Sequence, residues 1–345
     1  MTGHQQQLSE IREESASGTA FFNGVRLAAL NIRVEWVVEE MIPQAELTIF
    51  TGDPKIGKSR FMLYLANQVA RERNVLNLMV KKDGPVLLAN FEDGPVLLSQ
   101  RLHRMSASDR FDILDAAAFD AQVSKRVDRE GISELSTRDK IRERSKILAQ
   151  LLTNLVAERK YVLLILDPAI ESLQIEDENS ASQVASALAP LRTLARDTGV
   201  AVVLVHHNNK AGGYRGSSAF LGSPGTLITM RKEKEKNLYR LAITSRSSDS
   251  ASEPIYMRDA DSGTFGLASA ALRNKAESSS LTIADHIVEL LNVKGGEIRT
   301  NAIRSALEKA GVSRGTSYPS IMRHIDGDDR LDNKSKRGSV KLVAF

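Results

Sequence analysis

The run Gly52-Asp53-Pro54-Lys55-Ile56-Gly57-Lys58-Ser59, followed by Arg60, has the spacing GxxxxGK(S/T). Its chemistry is anion binding. Successive backbone N–H groups wrap phosphate oxygens, and glycines at 52 and 57 relieve side-chain clashes where the chain passes closest to the anion. Lys58 would reach the β- and γ-phosphates of a nucleotide, Ser59 would offer its hydroxyl to Mg²⁺, and a helix opening near Lys58 would point its positive end at the phosphates. The competing reading is a glycine turn ahead of a helix.

A phosphate site needs a second acidic component at the end of a neighbouring strand. Val162 to Asp167, VLLILD, delivers one: Asp167 is the candidate magnesium carboxylate, or else the cap of the next segment. Glu92 follows another apolar run and is the candidate base for an attacking water, with Asp93 beside it as competitor. His206 and His207 end a third run. His206 is read as a group that senses the γ-phosphate or the catalytic water, against a purely structural histidine, and with no Cys or acidic ligand nearby in sequence zinc is poorly supported.

Between Leu47 and Leu267 short apolar runs alternate with amphipathic segments, the pattern of a parallel sheet covered by helices. Strands are expected at 47–51, 86–91, 161–166 and 201–205, with crossover helices at 60–73 and 180–198. After Gly212 the runs at 226–230, 238–244 and 254–257 read as an antiparallel extension. The polar stretch 106–140 reads as a lid or a helical ornament. DGPVLL occurs at 83–88 and again at 93–98, where Pro95 suits the first position of a helix. Trp36 and Arg33 precede the first strand and border a base or serve as packing.

With 345 residues, 42% hydrophobic and 26% charged, no apolar run of membrane length and no cysteine, the chain reads as a cytoplasmic protein of two folded units. The expected organisation is a disordered leader (1–20), an ATP-binding domain (21–267), a linker (268–280) and a small domain (281–345). Residues 271–345 hold 13 Lys+Arg against 9 Asp+Glu, which accounts for the whole net charge of +4 and points weakly to a polyanion there. Three helical segments followed by a basic hairpin give the order of a winged helix-turn-helix. Arg314 and Arg323 would meet DNA from its third helix, and Lys334, Lys336 and Arg337 from its wing, although Asp326, Asp328 and Asp329 oppose a phosphate backbone and leave protein docking open.

These motifs resemble the hexameric RecA-like ATPases of the plasmid RepA replicative-helicase type, related to the DnaB helicases. The matching text is GDPKIGKS, NFED, LLILDP with IEDENSAS, VVLVHHNNKAGGYRGSSAFLG and ITSRSSDSASEP, covering roughly 34–267. The resemblance implies an α/β fold with a RecA-like parallel-sheet P-loop NTPase core, ATP and Mg²⁺ as cofactors, a homo-hexamer and a DNA partner. It implies Glu92 as catalytic glutamate, Asp167 as magnesium aspartate and His206 as sensor. It also implies Arg246 as an arginine finger for the neighbouring subunit, against a solvated strand-end charge, with Thr244 where many relatives carry lysine. Lys210, Tyr214 and Arg215 fall in a channel loop that would track a single strand, a surface loop being the alternative. The first functional reading is a replicative-type helicase. The second is an ATP-dependent DNA-binding regulator or loader without unwinding, and the third an ATPase docked to a protein partner.

Overall fold

The computed structural model describes residues 10–14, 20–207, 220, 224–248, 253–259, 262–273, 287–288, 291, 297–299, 303, 307, 325, 331–332 and 339–342. A hairpin of β1 (Arg12–Glu14) and β2 (Ala20–Phe22) opens the chain. The short helix α1 (Gly24–Ala29) follows, capped by the Asn23 side chain, which accepts from the Val25 and Arg26 N–H groups. A second hairpin, β3 (Trp36–Val38) with β4 (Ile42–Pro43), leads into the main sheet.

The apolar, β-branched run LTIFTG forms β5 (Leu47–Gly52), buried at every residue as a strand covered on both faces must be. The chain then alternates α2 (Lys58–Ala70), β6 (Val86–Asn90), α3 (Pro95–Met105), β7 (Phe111–Asp115), α4 (Ala116–Arg129), α5 (Thr137–Arg159), β8 (Leu163–Asp167), α6 (Ala169–Leu173), α7 (Ala181–Thr198) and β9 (Ala201–His207). Helix ends follow local chemistry. Pro95 sits at the start of α3, the Asp115, Ser136 and Ser180 side chains accept from N–H groups in the first turns of α4, α5 and α7, and Gly199 (φ 75°) closes α7.

Strands β10 (Thr226–Lys232), β11 (Leu238–Ser245), β12 (Ile255–Arg258) and β13 (Phe265–Leu267) complete a nine-stranded sheet of order β13-β12-β11-β10-β5-β9-β8-β6-β7. The six strands from β10 to β7 are parallel. The expected antiparallel extension therefore begins at β11, one strand later than the sequence suggested. The long connection between β9 and β10 gives the chain room to re-enter the sheet in the same direction.

The stretch 106–140 is a second correction. Neither a lid nor an ornament, it supplies β7, the edge strand paired to β6, together with α4. On one face of the sheet Phe61, Met62 and Leu65 of α2 pack with Phe50, Val203 and Ile228. On the other, Phe119, Leu148, Leu152, Leu188 and Leu191 of α4, α5 and α7 pack with Ile49, Leu164 and Val202. Phe61 also stacks on Phe50 at 5.4 Å and meets Tyr256 and Phe265 at 5.5 and 5.2 Å, which ties the antiparallel strands to α2. No described helix is long and apolar enough to cross a membrane.

Residues 269–345 form a second compact unit. Ile287, Leu291, Ile303, Leu307 and Ile325 are buried there with Leu331 and Val340. Its sheet has the order β14 (Glu297–Arg299), β16 (Ser339–Leu342), β15 (Leu331–Asp332). The sequence suggested only a glycine turn ahead of Thr300; Glu-Ile-Arg does alternate, but over three residues, too few for a period of two to register.

Candidate functional site

The loop between β5 and α2 leaves the carboxyl edge of the sheet with Asp53, Pro54 and Lys55 exposed and Ile56 buried. Gly57 has φ 112°, a left-handed conformation that an L side chain rarely adopts, and it precedes α2 without any side-chain cap. The first-turn N–H groups of α2 are thus left for an anion. Gly52 is required for a different reason than the sequence suggested. A Cβ there would lie 2.7 Å from the Met230 carbonyl oxygen of β10, so close strand packing, rather than approach to an anion, excludes a side chain.

Lys58 is 3% exposed, and its ammonium donates to the Gly52 carbonyl at 2.8 Å and the Asp53 carbonyl at 3.0 Å, with His207 Nδ1 also at 2.8 Å. Burial lowers its pKa from 10.5 to about 8, although Asp167, Glu92 and Asp53 pull the other way. Asp167, at the end of β8, is 2% exposed, and neither carboxylate oxygen has a geometrically well-formed hydrogen bond among the described residues. Burial pushes its pKa from 3.8 up to about 6, against the neighbouring Ser59 hydroxyl and Lys58.

At the end of β6 the Asn90 side chain accepts from the Glu92 and Asp93 N–H groups at 3.0 and 2.8 Å and turns the chain toward the loop. The two acids then part. Asp93 pairs with Arg101 of α3, both mostly buried. Glu92 is 61% exposed, with its Oε2 4.0 Å from His207 Nε2. Lys55, Lys58, Ser59, Arg60, Glu92 and His207 all line one pocket of about 360 Å³.

His206, expected as the sensor, lies on the opposite face of β9, fully buried, its ring stacked on Phe220 at 4.4 Å. Successive strand residues point to opposite faces, so only one histidine of the pair can meet Lys58, and it is His207. Arg246 is exposed and follows β11 directly. Gly52 is level with Met230 and Leu241, whereas Thr48 is level with Thr226 and Ser245. Arg246 therefore stands at the amino edge of β5, about 16 Å along the sheet from the loop of its own chain.

Sequence reasoning did not single out Arg101, His207 or Arg258, all of which line the pocket. Arg101 carried a faint signal, eight residues after Asp93 on an amphipathic helix. Arg258 carried none: it arrives from β12, held over the Tyr239 ring at 5.8 Å. Trp36 lies in a different pocket, beside Gln44 and Lys82. Lys210, Tyr214, Arg215, Arg314, Arg323, Lys334, Lys336 and Arg337 lie outside the described residues.

Among solved structures the chain aligns with the ATPase domain of a helicase at 13% identity, covering 71% of this chain and 95% of that one with a TM-score of 0.46. It aligns with a KaiC-like protein from Pyrococcus horikoshii OT3 at 13% identity, covering 68% and 94% with a TM-score of 0.47. The RadB recombinase aligns at 12% identity, covering 66% and 93% with a TM-score of 0.45. The family described as AAA domain matches residues 19–213, more than half of the chain and the whole span from Gly52 to His207. The chain belongs to this AAA domain family of P-loop ATPases.

Proposed function

We propose that the chain is a Mg-dependent ATPase of RecA-like, replicative-helicase type, a hexameric ring that hydrolyses ATP to move on DNA. The observation that carries the nucleotide site is the buried Lys58 ammonium. It is held between two loop carbonyls and His207 at the start of a helix whose first N–H groups no side chain caps. A buried cation in that position needs an anion to complete it. Gly52 to Arg60 would cradle the triphosphate, with Lys58 exchanging the loop carbonyls for phosphate oxygens.

Asp167 and Ser59 fit a hard divalent cation, since both Asp167 oxygens are buried without a well-formed partner and the Ser59 hydroxyl is their neighbour. They would hold Mg²⁺, which when bound neutralises charge on the β- and γ-phosphate oxygens. Glu92, exposed to the pocket while Asp93 is occupied by Arg101, would accept the proton of the water that attacks the γ-phosphorus. The bond to the β–γ bridging oxygen breaks and ADP departs with the electron pair. His207 would orient that carboxylate or the water. Arg246 of the partner subunit would stabilise the departing charge, an arrangement supported by its distance from the loop in its own chain.

A second reading, a DNA-binding regulator or loader, is supported by the smaller unit. Its described residues run helical at 287–291, strand β14, helical at 303, 307 and 325, then β15 and β16. This is the order of a winged helix. ATPase rate measured without DNA, with single strands and with duplex separates the two: single-strand stimulation supports the motor, while an indifferent rate with duplex binding confined to residues 269–345 supports the regulator. A chain that hydrolyses no ATP under any of these conditions overturns both.

A further inference from the structure

Trp36 is the only tryptophan of the chain. It lines a pocket of about 520 Å³ together with Glu35, Gln44, Lys81 and Lys82, none of which lines the P-loop pocket. Gln44 and Lys82 lie just ahead of β5 and β6, so this pocket opens at the amino edge of the parallel sheet, whereas the P-loop leaves its carboxyl edge. Its walls are fixed by backbone pairing. Gln44 N–H donates to the Glu35 carbonyl at 2.9 Å, Lys81 N–H to the Val37 carbonyl at 3.0 Å and Glu39 N–H to the Met79 carbonyl at 2.9 Å.

The side chains in this frame are only partly used by the fold. Trp36 is half-buried, leaving ring surface open to the pocket. The half-buried Gln44 amide has no hydrogen-bond partner among the described residues, and Lys82, also half-buried, has no ion pair within 4.0 Å among them. Burial holds the Lys82 ammonium below its ordinary pKa even with Glu35 nearby, the expected state of a cation partly desolvated without a contacting anion. Lys81 is exposed and pairs loosely with Glu39 at 3.0 Å, a surface contact that an incoming phosphate can displace at little cost.

An aromatic face, an amide and two ammonium groups around one pocket are the elements that hold an unpaired nucleotide: a surface for stacking, a group for a base edge, and charge for the flanking phosphates. We propose that this pocket takes a base of single-stranded nucleic acid, stacked on Trp36 with its edge at Gln44 and its flanking phosphates on Lys81 and Lys82. Glu35 confines the phosphates to the lysine side. The site goes beyond the ATPase reading and needs no turnover.

The sole tryptophan makes it directly observable. The full chain, without nucleotide, is titrated with oligothymidylate while indole fluorescence and the anisotropy of a labelled strand are followed together, and each variant is melted to check folding. The expected result is a saturable quench with the same midpoint as the anisotropy. Trp36→Leu weakens binding roughly 5- to 100-fold, the range for loss of one base–aromatic stack, and Trp36→Phe restores most of it. The double variant Lys81→Ala, Lys82→Ala lowers the slope of log affinity against log salt by about 1.4.

A strand that binds by anisotropy while the indole signal stays flat overturns the proposal. So does an unchanged salt slope in the lysine variant, an equal quench by duplex, or no binding at all. An ATPase-inactive wild type that still shows the quench would remove the motor reading and leave this site standing.

Discussion

Replacing Lys58 by methionine should stabilise the nucleotide-free chain while abolishing ATP turnover. Burial lowers the Lys58 pKa from 10.5 to about 8. Each factor of ten in proton affinity is worth about 1.4 kcal/mol, so the charged side chain costs the empty fold about 3 kcal/mol near neutral pH. Methionine removes that cost. It also removes two hydrogen bonds to the Gly52 and Asp53 carbonyls, worth about 1 kcal/mol each. The net gain is about 1 kcal/mol, or a rise of roughly 2–4 °C in melting temperature for a domain of this size.

The pH profile carries the same signature. Between about pH 8 and 10.5 the unfolded lysine keeps its proton after the native one has lost it, so the unfolded state binds more protons and wild-type stability rises with pH across that window. Lys58→Met loses this rise. The assay is thermal melting with and without Mg-ATP. At a hundred times its dissociation constant the nucleotide adds about 2.7 kcal/mol to the wild type and nothing to the variant. A variant that melts lower than wild type without nucleotide, or gains the same shift with it, refutes the reasoning.

Asp167→Asn should likewise stabilise the empty fold by about 3 kcal/mol at pH 7. Because native Asp167 keeps its proton up to about pH 6 and the unfolded one only to about 3.8, wild-type stability should fall as pH rises between those values, a fall absent from the variant in denaturant titrations. Gly52→Ala should destabilise by about 1–3 kcal/mol in urea, since its Cβ meets the Met230 backbone oxygen, and a neutral result would mean the two strands separate freely. His206→Ala should lower the melting temperature with a smaller effect on turnover, and His207→Ala should do the reverse; steady-state kinetics and melts on both show whether the two roles have been exchanged. Arg246→Ala should bind ATP normally, hydrolyse it about 10³-fold more slowly and regain activity when mixed with Glu92→Gln chains, which a finger acting within its own subunit would not permit.

What the sequence disclosed was mostly contiguous. The phosphate loop is one run of eight residues, and Asp167 ends a run of five apolar ones, so type and spacing suffice to find them. The parallel sheet was legible for the same reason, since strands buried on both faces read as unbroken apolar runs. Strand β7 was not, because FDILD at the sheet edge is only partly buried and mixes carboxylates with apolar residues. The phase of the His206–His207 pair depends on the register of β9 against β5, which neither histidine reveals alone. Arg258 reaches the pocket through the packing of Phe61, Tyr256 and Phe265, contacts between distant parts of the chain that leave no local pattern.

ATP hydrolysis by the wild-type chain, Lys58→Ala and Glu92→Gln, measured with and without single-stranded DNA alongside the mass of the assembly, tests the central claim most directly. The account predicts a ring whose rate rises with single strands and disappears in both variants, with ATP still retained by Glu92→Gln. A wild-type rate indifferent to nucleic acid, or one that survives loss of Lys58, would contradict it.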